Sequence, residues 1–201
     1  ATSASFTFSA SEPGSSFQCR IDGAAFAACT SGQSYTGLAD GSHTFEVRAT
    51  DPAGNTDSTP ATHTWTVDTG PPNTTITASP SDPTNATSAS FSFTSTEAGS
   101  SFECRLDASA FASCTSSQSY TGLSEGSHTF EVRATDPAGN TDASAASFTW
   151  TVDTTAPETT ITVNPSDPSA PTVSFSFTSS ETGSTFECRL DASAFASCTS
   201  P

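Results

Sequence analysis

The stretch FECRLDASAFASC at 102–114 recurs unchanged at 186–198, and a looser copy, FQCRIDGAAFAAC, occupies 17–29. This recurrence constrains the fold more than any other feature. Cys19 maps onto Cys104 at an offset of 85, and Cys104 onto Cys188 at 84. HTFEVRATDPAGNTD at 43–57 returns at 128–142, and Trp65 matches Trp150. A period of about 85 residues is a domain rather than a small solenoid repeat. The 201 residues then divide into 1–70, a repeat lacking its first strand, 71–154, a complete repeat, and 155–201, the first half of a third. The window reads as cut from a longer array; were its ends real, the partial units would need strands from neighbouring repeats of the same or identical chains. Identical chains completing one another would build a filament.

Within the complete unit, apolar and polar residues alternate. Segments 74–78, 89–95, 101–107, 111–114, 117–123, 128–136 and 147–153 read as seven short strands separated by turn residues. Phe91 and Phe93 share one face; so do Phe102, Cys104 and Leu106, opposite Glu103, Arg105 and Asp107. His128, Phe130, Val132 and Ala134 face inward, as do Phe148, Trp150 and Val152. One open sheet cannot bury so many apolar faces, whereas two packed sheets can. Ser and Thr make up over a third of the chain, aliphatics are few, and the net charge is −16. Those values alone would suit a disordered segment, but period-two patterning favours a fold. The acidic balance repels phosphates and anionic lipid, which excludes nucleic acid as a partner. No apolar run reaches the length of a membrane helix, so no membrane insertion is expected in this segment.

Each cysteine pair has nine residues between its members. Zinc knuckles and redox-active pairs use Cys-x-x-Cys spacing, which is absent. Two strand ends joined by a tight turn bring such cysteines together. The expected structural disulfides are Cys19–Cys29, Cys104–Cys114 and Cys188–Cys198, one within each domain. They place the chain outside the reducing cytosol.

The run GLSEGSHTFEVRATDPAGNTD followed by FTWTVDTTAPETTI, at 122–161, resembles the tandem Ig-like repeats of large secreted bacterial surface proteins. The likeness covers the whole chain. It implies an all-β fold of tandem seven-stranded Ig-like/fibronectin type III-like β-sandwiches. Tyr120 with Gly122, Leu123 and Gly126 is similar to a strand-joining segment of fibronectin type III domains, but no tyrosine occupies the following strand, so no tyrosine corner is carried over. The implied function is a structural repeat segment of an extracellular bacterial stalk, adhesin or filament. The competing reading is a multivalent carbohydrate- or protein-binding module of a secreted protein, with a surface glycan or protein as partner. No nucleophile, base and metal set converges, so an enzyme is not expected.

Two features invite a site. The DPAGNTD loops carry Asp51, Asn55, Asp57 and Asp136, Asn140, Asp142. With Asp68 and Asp153 at the linkers, and Asp82 and Asp167 in the following loops, they are candidates for calcium at domain junctions. The plainer reading is Asx-type turns plus solubilising charge. No other cofactor is expected. His43 and His128 begin long strands and read as structural. The five arginines fall at two repeat positions on the outer sheet face, beside Glu103 and Glu131, where a charged cross-strand ladder is expected. The chain has no lysine, which excludes lysine isopeptide bonds as a source of robustness. The linkers VDTGPPNTTI and VDTTAPETTI, at 67–76 and 152–161, leave almost no slack between domains.

Overall fold

Runs of Phe, Val and Thr alternating with Ser and Glu form strands because the pleat sends successive side chains to opposite faces. The computed structural model describes residues 1–166 and 172–200. The first unit holds β1 (Ser3–Phe6), β2 (Ser16–Ile21), β3 (Ala27–Cys29), β4 (Gln33–Thr36), β5 (Gly41–Thr50) and β6 (Ala61–Val67). The middle unit holds β7 (Thr74–Ala78), β8 (Ser88–Ser95), β9 (Ser101–Leu106), β10 (Ala112–Cys114), β11 (Gln118–Thr121), β12 (Gly126–Thr135) and β13 (Ala146–Val152). The third shows β14 (Thr159–Val163), β15 (Ser176–Ser179), β16 (Phe186–Cys188) and β17 (Ala196–Cys198).

In the middle unit, one sheet runs β10-β9-β12-β13 and the other β11-β8-β7, all antiparallel. On β12, Phe130 lies opposite Leu106 and Phe148, and Val132 opposite Cys104 and Ala146. Phe91, Phe93, Phe130, Val132, Trp150 and Val152 are buried between the sheets. Phe91 stacks on Phe130 with centroids 4.1 Å apart. Each such side chain contributes about 1.5–3 kcal/mol by leaving water, so a few aromatics offset the shortage of aliphatics.

β7 also ties the sheets together. Thr74 donates its backbone N–H to Asp142 Oδ2 at 2.8 Å and accepts the Ala134 N–H on its Oγ1 at 2.9 Å. The first unit repeats the larger sheet as β3-β2-β5-β6, while its smaller sheet pairs β1 with β4. Its core is correspondingly thinner: Trp65 is half-buried where Trp150 is 0% exposed. In the third unit β14 pairs with β15 and β16 with β17, and Ile161, Val163, Leu190 and Phe195 are exposed.

Disulfides join Cys19 to Cys29, Cys104 to Cys114 and Cys188 to Cys198, each with Cα atoms 5.8 Å apart. The register places Cys104 opposite Ala112 and Cys114 opposite Phe102, so the bond runs diagonally between neighbouring strands of one sheet. It staples a hairpin edge. The interior bond of antibody domains instead crosses between the sheets.

Candidate functional site

The outer face of the larger sheet carries the arginines. Arg105 makes a two-pronged pair with Glu131, at 2.7 and 2.9 Å, and Arg133 donates to Glu103 at 2.8 Å. Between them lies the Phe111 ring, 4.5 Å from the Arg105 guanidinium carbon and 4.3 Å from that of Arg133. Phe26 sits likewise between Arg20 and Arg48, at 4.4 and 4.1 Å. There Arg20 pairs with Glu46, and Arg48 donates to the neutral Gln18 amide oxygen. Phe111 therefore packs the hairpin onto its own domain from outside. Side-chain parity holds the signal: Cys114 and Ala112 share the inward face, which sends Phe111 and Ser113 outward.

The junction between the first two units is built from linker and turns. The Asp68 carbonyl accepts Asn140 Nδ2–H from the middle unit at 3.2 Å, and Asp68 Oδ1 accepts the Gly70 N–H at 3.0 Å. Thr69 donates its hydroxyl to Asp40 at 2.8 Å, anchoring the linker to the first unit. Asn73 donates its N–H to Thr96 Oγ1 and accepts the Thr96 N–H, anchoring the other end to the middle unit. The second linker is gripped similarly: Thr154 and Thr155 donate their hydroxyls to Glu125, both at 2.8 Å.

At the first junction, carboxylate oxygens of Asp68, Glu97 and Asp136 all lie within 4.8 Å of one another. The 96–100 turn reaches this point because Gly99, at φ +81°, lies flat on Pro137; an added Cβ would come within 3.3 Å of Pro137 Cγ. Burial lifts the Glu97 carboxyl above its usual range, and the charges of Asp68 and Asp136 lift it further. Burial pushes Asp136 upward too, but the Asn140 side chain and loop amides outweigh it and hold that group low. The fit to calcium is partial. Three carboxylates supply some of the six to eight oxygens calcium takes, and Asp136 already accepts the Asn140 N–H and Nδ2–H at 2.8 and 2.7 Å.

Of the candidate calcium residues, the structure brings Asp68, Asp136 and Asn140 together and adds Glu97, which the loop motif could not disclose. The others are engaged elsewhere. Asp51 accepts from Asn55 within its own loop, and Asp57 accepts from Thr59. Asp82 accepts the Thr151 N–H, and Asp142 accepts from Thr74 and Ser144. Asp153 accepts the Thr155 N–H. Asp167 lies outside the described residues.

The histidines are bound on both sides of the ring. His128 Nδ1 lies 2.7 Å from Asp107 Oδ2, and its Nε2 lies 2.9 Å from the Ser124 carbonyl oxygen. His43 is placed the same way, 2.7 Å from Asp22 and 2.8 Å from the Ala39 carbonyl.

Two antiparallel sheets over an aromatic core, an edge hairpin stapled by a disulfide and short gripped linkers define an immunoglobulin-like sandwich repeat. Residues 73–154 match the bacterial Ig-like domain family. That match takes in the middle unit, whose sequence the flanking units repeat in part. Solved structures similar to it include the fibronectin(III)-like modules of CbhA from Clostridium thermocellum, at 18% identity and TM-score 0.41, covering 75% of this chain and 84% of that one. The central fibronectin-III array of RIM-binding protein has 18% identity and TM-score 0.31, covering 88% and 74%. A tetra-tandem repeat in the extending region of a large adhesion protein has 22% identity and TM-score 0.32, covering 82% of this chain and 48%, about half, of that one. No curated protein matches the chain. No helix among the described residues is long and apolar enough to cross a membrane.

Proposed function

We propose that this chain is a structural, repeat-building segment of a bacterial surface or secreted multidomain protein, working outside the cell as a spacer. The carrying observation is the linker: Asp40 on one domain, and Asn140 and Thr96 on the next, hold its few residues at both ends. Three disulfides with no free cysteine support an oxidising compartment. Small-angle scattering on the chain, with and without Asn140→Ala plus Thr69→Ala, tests the reading. A gripped linker gives a narrow distribution of dimensions that broadens in the double variant. Identical broad distributions for both would sink it. A glycan array run on the same material tests the competing module, and specific binding at one epitope would favour that module instead.

Calcium belongs to the same proposal. Asp68, Glu97 and Asp136 are the oxygens it would meet, and binding there would stiffen the first junction. Thermal melting across a calcium titration is the measurement; a melting curve that ignores calcium while the scattering still reports a gripped linker removes the metal and leaves the spacer.

A further inference from the structure

We propose that the buried histidine of each of the first two units, His43 and His128, is a proton-operated clasp, holding in place the loop that grips the following linker. In the middle unit, β12 begins with His128 pointing inward, 7% exposed. Its two nitrogens face oxygens that only accept: a carboxylate on the β9–β10 turn and the Ser124 carbonyl on the β11–β12 loop. A neutral imidazole has one N–H and one lone pair, so it satisfies one of these oxygens and sets its lone pair against the other. The geometry is made for the imidazolium.

The loop carbonyl it holds belongs to the residue just before Glu125, and Glu125 binds Thr154 and Thr155 of the linker. The first unit repeats the chain of contacts: His43 holds the Ala39 carbonyl, and the next residue, Asp40, binds Thr69. Two copies built alike, down to the adjacency of clasp and grip, make this a designed path from ring to linker. The groups facing the His128 ring are few. Asp107 comes from the hairpin turn, the Trp150 ring from β13 with centroids 5.6 Å away, and a carbonyl from the loop; its inward neighbour on β12, Phe130, carries no charge. The Ser124 carbonyl and then Asp107 raise the affinity of His128 for its proton, and burial opposes them more weakly. When the proton passes to solvent at higher pH, the ring keeps one of its two hydrogen bonds. The loop, and with it the linker, loosens.

The inference rests on the spacer reading, but its test is separable. Ring nitrogen signals of His43, His63 and His128 and amide signals of Thr69, Thr154 and Thr155 are followed by NMR in the 201-residue chain, from about pH 5 to about pH 9, with His63→Phe used to assign the rings. The His43 and His128 rings are expected to titrate with midpoints above the ordinary value of about 6.5. The linker amides are expected to move with those midpoints. In His128→Gln the Thr154 and Thr155 response should vanish while that of Thr69 persists. Ring midpoints at or below that ordinary value, or linker signals that stay still while the rings titrate, overturn the clasp. If His128→Gln fails to fold, the wild-type co-titration decides alone. A gripped linker in the scattering test with no co-titration would reject the clasp and retain the spacer.

Discussion

At the residue scale, positions that look interchangeable between repeats are not. The hairpin turn places Asp107 and Ala108 in the left-handed region, at φ +50° and +57°, where the first unit has Asp22 and Gly23. Asp tolerates that region; alanine is disfavoured there by about 1–2 kcal/mol. Ala108→Gly should therefore stabilise the middle unit by about 1 kcal/mol, read as a higher denaturant midpoint; no gain would mean the turn relaxes in solution. The acid and base of the clasp set opposite limits on stability. The His128 hydrogen bond and the Thr129 amide outweigh burial and hold Asp107 low, so its contribution is present above the unfolded value and is lost as pH falls through the folded one. His128 is raised, so its contribution is complete below about pH 6.5 and is lost as pH rises through its folded value. The stability difference between wild type and His128→Gln should plateau between about pH 4 and about pH 6.5 and shrink on the alkaline side. A difference that grows with pH would contradict this.

At the scale of elements, two devices compensate for a core short of aliphatics. The disulfide closes a hairpin at the edge of the larger sheet with a separation of 10 residues. Replacing Cys104 and Cys114 together by Ala should cost the middle unit roughly 2–3 kcal/mol in chemical denaturation, and a loss near zero would mean the hairpin is held by Phe111 and its arginines alone. The other device is β7. Thr74→Val keeps the strand's shape but leaves the buried Ala134 N–H without its acceptor, a loss of about 1–3 kcal/mol. Hydrogen exchange at Ala134 should accelerate accordingly, and unchanged protection would place the cross-sheet tie elsewhere.

At the scale of the whole molecule, the junction balances attachment against repulsion. Asn140, Thr69 and Asn73 hold the linker, while Asp68, Glu97 and Asp136 crowd negative charge against it. Glu97→Gln should raise the melting temperature of the first two units at low salt. The gain should fade as the screening length drops from about 30 Å at 0.01 M to about 3 Å at 1 M. A gain independent of salt would assign the effect to packing.

The period of 85, the strand faces and the staple were legible in the sequence because each depends on local order along the chain: alternation sets which side chain points inward, and a short turn sets which cysteines meet. Phe91, Phe130 and Trp150 could be assigned to the core from alternation alone, and the Arg105–Glu131 ladder from the outward positions between them. The partners of Glu97, Asn140, Asp142 and His128 could not, because those contacts join residues 4 to 72 apart whose meeting is set by how turns and linker pack. In the middle unit Asp142 locks β7 through Thr74, 68 residues away in the chain, a contact that no local pattern discloses. Near-identical sequence thus determined the same stapled hairpin in each unit and the same larger sheet in the first two. Only the tertiary structure decided that Asn140 meets the Asp68 carbonyl and that Glu97 joins Asp68 and Asp136, because a junction is made where the end of one unit meets the turns of the next.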